Sequence, residues 1–336
     1  MSSPSLLAYN SAKFTAVDFQ SIQRIGDSLK KTKTGTKTGR FGVGVNSTYH
    51  LTEVPMFVSG TKVVLFDPQA KFVPGINPAN PGKMIDCSTE KGKQLVTSLP
   101  DVFNSLRVWG NTLNEEEFDG TIFRFALRSE EQAQVSRLSN QSHSLQAMTQ
   151  LLKEMSCSAS TMLLFLKNVE NIEIYNWKSE DEEPILIHQT KITNNSERLQ
   201  KKRSFMLNAN PNPEIPVSID YFLDIESNGM GTTEMGGKLS PKEKWVVCNQ
   251  LGGGNASKMA QDPRLAHMKL IPWAGVAGRL DPIGSVDDGI AYCFLPLPVK
   301  TKLPVHVNGY FELSSNRRDV WWGDDMAGDG RARAEW

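Results

Sequence analysis

Three glycines fall within six residues in Gly39-Arg40-Phe41-Gly42-Val43-Gly44, and Val45-Asn46-Ser47-Thr48-Tyr49-His50-Leu51, directly after them, suit the start of a helix. Glycine takes positive φ at no steric cost and lets a backbone approach a second group closely, so this stretch reads as a tight turn delivering the chain into a helix. A Cβ at Gly42 or Gly44 is expected to force an unfavourable φ or to push the backbone away from a ligand. The amides near Val43, Gly44 and Val45 would point at an anion, and the helix dipole adds to that preference. The pattern is GxxGxG. It is not GxxxxGK[ST], which excludes a P-loop, and it is not GxGxxG after a first strand, which disfavours a dinucleotide Rossmann site. Just upstream, residues 28–38 (SLKKTKTGTKT) carry Lys30, Lys31, Lys33 and Lys37, with Arg40 as a fifth cation. They hold nothing that can bury a face and are expected to form an exposed, mobile loop.

Around this turn the chain alternates short strand-like and helical pieces. Leu6-Leu7-Ala8-Tyr9 is strand-like, Asn10-Ser11 signals a turn, and Thr15 with Asp18 forms an imperfect capping box for a helix whose apolar face is Phe19, Ile22 and Ile25. Lys62–Phe66 is a strand, and residues 74–82 (PGINPANPG) must be a loop. In Gly120–Arg128 the side chains of Ile122, Arg124 and Ala126 alternate with Phe123, Phe125 and Leu127, as in a strand with one wet face. Residues 129–142 are polar and mark a domain boundary. Leu145, Met148, Leu151, Leu152 and Met155 then define an amphipathic helix, Met162–Leu166 is a buried run, and Ile172–Trp177 pairs with Ile185–His188. Residues 192–216 are polar and proline-containing. The strand-like Trp245–Cys248 splits a glycine-rich region over 226–258, and the end is aromatic and basic.

Composition narrows the function classes. The 336 residues carry 37 Lys+Arg against 37 Asp+Glu, and the pI is near 7. That removes the field that would draw the whole chain to nucleic acid or an anionic membrane. No run of about 18 apolar residues is present, and the first residues lack a secretory pattern. Cys87, Cys157, Cys248 and Cys293 form no CxxC pair, so they read as reduced thiols of a cytoplasmic protein and not as a zinc site. No catalytic or metal set is assigned. His50 reads as a partly buried helix histidine and His306 as a strand side chain. Arg317-Arg318 reads as a solvated turn or as a γ-phosphate contact, Trp321-Trp322 as packing or a client surface, and Glu115-Glu116-Glu117 as a solvated loop.

Taken together, residues 8–31 (AYNSAKFTAVDFQSIQRIGDSLKK), 39–55 (GRFGVGVNSTYHLTEVP) and 119–128 (DGTIFRFALR) resemble the split-domain, or GHKL, ATPase family of gyrase, the ninety-kilodalton heat-shock chaperones, histidine kinases and MutL. Within it they look most like the sacsin repeat family, as do FDPQAKFVPGINPANPG, LLFLKNVENIEIYNW, YCFLPLP and LPVHVNGYFELSSNRRDVWW, in the same order along the chain. The resemblance implies an α+β fold. Residues 1–130 would be a two-layer α/β sandwich of the GHKL (Bergerat) type, incomplete at its N-terminus, and residues 140–336 a second α+β domain.

It also implies a site for ATP and Mg²⁺. Gly39, Gly42 and Gly44 would wrap the phosphates, residues 27–38 would be a short lid with Ser28 and Lys30 at its edge, and Thr121 would help hold adenine. YNSAKFT falls where the family has DxGxGM and the segment is one residue shorter, so the acid that accepts the adenine amino proton is either replaced by Asn10, at a cost of about 1 kcal/mol, or lost. The family's first helix, with a Glu that activates water and an Asn that holds Mg²⁺, would precede residue 1. Binding by this chain is therefore expected to be weak or absent, and hydrolysis no faster than background. The leading expectation is a sacsin-like chaperone fragment with client proteins or co-chaperones as partners, and no nucleic acid or membrane. A nucleotide-free scaffold is the alternative. A DNA-processing ATPase is disfavoured by the neutral charge and the lack of a basic stripe.

Overall fold

A computed structural model of the chain describes residues 4–22, 44, 46–114, 116–178, 183–194, 196–208, 210, 213–229, 242–281, 288–314, 319–321 and 329–336. It is α+β and divides into two compact units, the first ending at Leu151 and the second running from Leu152 to Trp336.

In the first unit, β1 (Ser5–Asn10), β2 (Met56–Gly60), β3 (Lys62–Phe66), β4 (Gly82–Asp86) and β5 (Phe118–Ala126) form one antiparallel sheet in the order β1-β5-β2-β3-β4. Gly60 takes φ +60 in the tight β2–β3 turn. Thr15 caps α1 (Ala16–Ile22) in the expected box, its hydroxyl bonding the Asp18 carboxylate at 2.7 Å. α2 (Glu90–Ser98) is capped by Thr89, and its Gly92 lies so close to β4 that a Cβ would stand 2.0 Å from the Asp86 carbonyl oxygen. α3 (Pro100–Phe103) leads through a 3₁₀ turn, Asn104–Leu106, that packs on β5.

The wet face expected for β5 is absent. Ile122 and Thr121 are fully buried and Arg124 is 9 % exposed, because β5 is flanked by β1 and β2 and covered on both sides. Phe14 and Phe19 of the α1 segment stack with Phe57 and Phe123 on one face, at ring separations of 4.8–6.2 Å. The polar stretch after β5 forms α4 (Glu130–Val135), with a full capping box at Ser129 and Gln132, and stays with the first unit. It is tied there through Lys71 Nζ to the Val135 carbonyl and through the Arg137 amide to Gln69. The division between compact units falls beyond it, inside α5 (Leu145–Met162).

The second unit is an eight-stranded sheet. Its strands are β6 (Asn171–Asn176), β7 (Ile185–Ile192), β8 (Val217–Gly229), β9 (Lys242–Leu251), β10 (Trp273–Asp281), β11 (Ile290–Cys293), β12 (Leu295–Lys300) and β13 (His306–Gly309). The order is β12-β11-β13-β10-β9-β8-β7-β6, with every neighbouring pair antiparallel except β11–β13. β6 and β7 pair as expected. The edge strand β12 carries Pro296 and Pro298. Period-two burial along β8 and β9 puts Tyr221, Leu223, Ile225, Trp245 and Val247 on one face, packed with Leu163-Leu164-Phe165 and with Leu199, Phe205 and Met206 of α6 (Ser196–Asn208). That helix was not expected in the polar stretch 192–216. Its mean polarity hides an apolar stripe, and Lys202 within it is fully buried, which pushes its ammonium down to about 8. Gly252, Gly253 and Gly254 all take positive φ and turn β9 into α7 (Gly254–Gln261), and α8 (Gly330–Glu335) places Trp336 on Met259, Met268 and Leu270.

Candidate functional site

Antiparallel register in the first unit sets Asn10 of β1 directly beside Thr121 of β5, and Thr121 in turn beside Ser59 of β2. Two residues of the expected adenine end are thus cross-strand neighbours, although 111 positions separate them in sequence. Both already bond to Ala12. The Asn10 side-chain oxygen accepts the Ala12 amide at 3.0 Å, a local turn that steers the chain across the sheet. The Thr121 hydroxyl is fully buried and donates to the Ala12 carbonyl at 2.7 Å. Ser59 Oγ lies 2.9 Å from Thr121 Oγ1 and 3.1 Å from the Gly120 carbonyl, and accepts the Phe14 amide at 2.9 Å. Residues 12–14 therefore lie over the Thr121–Ser59 pair. Lys13 and Glu117 form an exposed ion pair beside it, which raises the Lys13 ammonium and lowers the Glu117 carboxyl.

Two residues further along the same faces of β2 and β5, a cleft of about 230 Å³ opens between Phe57, Phe66, Phe123, Phe125 and Met56, with Ile22, Thr48 and Gly44 at its margin. Among the described residues its lining carries no charged side chain. Among the described residues nothing lies within 4 Å of a Cβ built at Gly44, and its φ lies outside the left-handed region. That corrects the strained-φ half of the expectation at this glycine and leaves the other half, a Cβ that keeps the backbone away from a ligand, as an expectation. Ser28, Lys30, Gly39, Arg40, Phe41, Gly42, Val43 and Val45 lie outside the described residues, as do Arg317, Arg318, Trp322 and Glu115.

The turn after Gly44 is a 3₁₀ helix, Asn46–His50, and it is held by a residue that the sequence did not point to. Arg128, fully buried at the end of β5, forms an ion pair with buried Glu53 and donates to the carbonyls of Tyr49, His50, Thr52 and Gln141. Gln69 donates to the other oxygen of Glu53. His50 itself is exposed and acts through its carbonyl, which also meets His143 at 2.8 Å. Beside this knot Tyr49 is pushed up to about 12, by burial first and then by the charge of Asp67. Only the side-chain chemistry of Arg128, with several donors in one plane, could have flagged the knot, since its partners lie up to 79 positions away.

Adenine requires one free acceptor and one free donor in a slot. Asn10 and Thr121 are of suitable types and adjacent, but the buried Thr121 hydroxyl is committed to the Ala12 carbonyl beneath residues 12–14, while exposed Asn10 gives Ala12 one bond and keeps its amide N–H groups. With Thr121 closed, the pair does not make the complete donor and acceptor slot that a nucleotide base needs, and the phosphate half rests on a loop of which only Gly44 is described. Among the described residues no three His, Cys, Asp or Glu side chains gather as a metal-holding group, and no helix is long and apolar enough to cross a membrane.

The geometry defines a chain of two α+β units whose first sheet carries an Asn–Thr strand pair next to a glycine-led turn. The sequence model of the Sacsin domain matches residues 1–189, more than half of the chain, and the chain belongs to that family. It is 31 % identical over 347 aligned residues to sacsin of Homo sapiens, an alignment that takes in 95 % of this chain. The chain spans 7 % of that relative's length.

Proposed function

We propose that the chain is a module of a sacsin-type chaperone, assisting the folding or assembly of other proteins, with a first unit of the GHKL nucleotide-binding type that on its own binds ATP·Mg weakly or not at all. The observation that carries this is the Asn10–Thr121 strand pair, in register but bonded to Ala12. It keeps the residue types of a base-binding slot while committing the Thr121 hydroxyl internally and leaving Asn10 at the surface with one bond to Ala12. Client proteins or co-chaperones are the partners this reading calls for, and four cysteines outside any disulfide accord with the cytoplasm. The test pairs calorimetric titration of ATP·Mg with suppression of aggregation of a chemically denatured test protein. Aggregation suppressed without nucleotide, and no heat of ATP binding in the low-micromolar range, is the expected result. Tight ATP binding overturns the nucleotide part, and no suppression at equimolar chain overturns the chaperone part.

The closed Thr121–Ser59–Ala12 network also favours a second reading, a scaffold that kept the fold and lost the nucleotide altogether. Two measurements separate them. A shift of the amide signals of residues 44–60 by millimolar ATP overturns the scaffold reading; where ATP leaves them unchanged, aggregation suppression decides, present under the first reading and absent under the scaffold one.

A further inference from the structure

β11 is held into the sheet of the second unit by few backbone contacts. It pairs with β13 in parallel over only Ala291–Val307 and Tyr292–Asn308. Two side chains of β13 add bonds to the backbone of this stretch, whose Tyr292 and Phe294 are buried in the core. His306 Nδ1 accepts the Ile290 amide at 3.2 Å, and Asn308 Oδ1 accepts the Phe294 amide at 2.8 Å. At the entry to β11, Gly289 passes so near the 303–305 backbone that a Cβ would lie 2.0 Å from the Val305 carbonyl oxygen. Its amide donates to the Leu303 carbonyl, and its own carbonyl accepts the Thr301 amide at 2.7 Å.

The groups around His306 come from every neighbouring strand. Trp245 of β9 stacks on the imidazole at 5.5 Å, and Tyr292 of β11 meets it edge-on at 5.4 Å. Arg279 of β10 contributes a like charge to the protonated ring, while the Glu243 carboxylate of β9 is occupied with the Trp245 indole N–H at 3.0 Å. Asp288, next to Gly289, pairs with Lys300 of β12 at the surface. An imidazole can accept at Nδ1 only while that nitrogen is unprotonated.

We propose that His306 is an acid-sensitive latch: protonation at Nδ1 expels the Ile290 amide and frees β11 and β12 from β13, while β8, β9 and β10 stay paired. Burial first, and then the Arg279 charge, hold the imidazole down to about 4 in the closed sheet. Once released, the ring regains an ordinary histidine affinity for protons, near 6.5. Proton linkage between those two states makes opening about twentyfold more populated at pH 5 than at pH 7. An ordinary carboxylate stays ionised across that interval, so the effect reports histidine.

Amide hydrogen exchange on the whole chain tests it. Protection factors at Ile290 and Phe294 should fall about twentyfold from pH 7 to pH 5, with those at Leu223 and Val247 unchanged. In His306→Asn, whose side-chain oxygen is an acceptor that does not titrate, the fall should vanish. Should that variant not fold, the imidazole nitrogen spectrum of the unaltered chain decides: Nδ1 unprotonated at pH 7 supports the latch, and Nδ1 protonated there overturns it. Equal protection of Ile290 at both pH values, or a fall shared with Val247, also overturns it.

Discussion

Replacing Thr121 by valine keeps the shape of the side chain and removes one hydroxyl from a fully buried place. Two bonds change. The Ala12 carbonyl loses the donor that holds residues 12–14 across the sheet, and Ser59 Oγ loses a neighbour at 2.9 Å but keeps the Gly120 carbonyl and the Phe14 amide. A hydrogen bond of this kind contributes about 1 kcal/mol, and a carbonyl left without its donor costs about 1–3 kcal/mol when sealed from water. Ala12 itself is exposed, so water can reach part of that loss. The expected destabilisation is therefore about 1–2 kcal/mol. Trp109 is the only tryptophan before Leu151, so a fluorinated-tryptophan label followed through urea unfolding reports the first unit alone. Ser59→Ala should cost a similar amount, and the double variant less than the sum, because the two hydroxyls share one network. A loss under about 0.3 kcal/mol for Thr121→Val, or strict additivity with Ser59→Ala, would show that the network does not hold the segment. Thr121 would then be available to a ligand.

Arg128→Met should destabilise the first unit by about 3–5 kcal/mol, since it strands the buried Glu53 carboxylate. Adding Glu53→Leu should recover part of that, and the same urea titration checks both. Gly44→Ala should leave stability within about 0.5 kcal/mol, given no described neighbour within 4 Å of the added Cβ and a φ outside the left-handed region. A thermal scan showing a larger loss would mean that this backbone is held against something. Lys167 lies among Trp273, Phe294 and Tyr310 with its ammonium 2.9 Å from the Tyr310 hydroxyl, and burial brings it down to about 8. The unfolded chain holds that proton up to about pH 10.5. The folded state therefore gains stability as pH rises between those values, by about 2 kcal/mol from pH 7.5 to 9.5. Lys167→Met should lose that portion of the rise when unfolding is compared at the two pH values.

Strands with a clean local pattern were legible in the sequence: Leu6–Tyr9, Lys62–Phe66 and Trp245–Cys248 lie in strands, as does Ile172–Trp177 up to Asn176. Turn chemistry was equally plain at Asn10-Ser11 and over 74–82, where the residues themselves dictate the backbone. What escaped depended on partners distant in sequence. β5 alternates as a half-wet strand would, yet packing covers both of its faces, with Thr121 and Ile122 both fully buried. α6 is too polar on average to show its stripe, because one of its buried positions is a lysine. At the candidate site, Asn10 and Thr121 could be named from the resemblance. The segment over Thr121 could not, because the Ala12 contact is made by a main-chain carbonyl, which every residue possesses.

The prolines of β12 bear on how copies of this unit behave when crowded. A sheet edge invites further strands only through amides that face outward, and a proline has none to offer. With Pro296 and Pro298 in its outermost strand, the second unit is a poor template on that side. Two such units synthesised in tandem, or concentrated together while still folding, have little means of zipping edge to edge there. That guards against the mispairing to which β-rich neighbours of like sequence are prone.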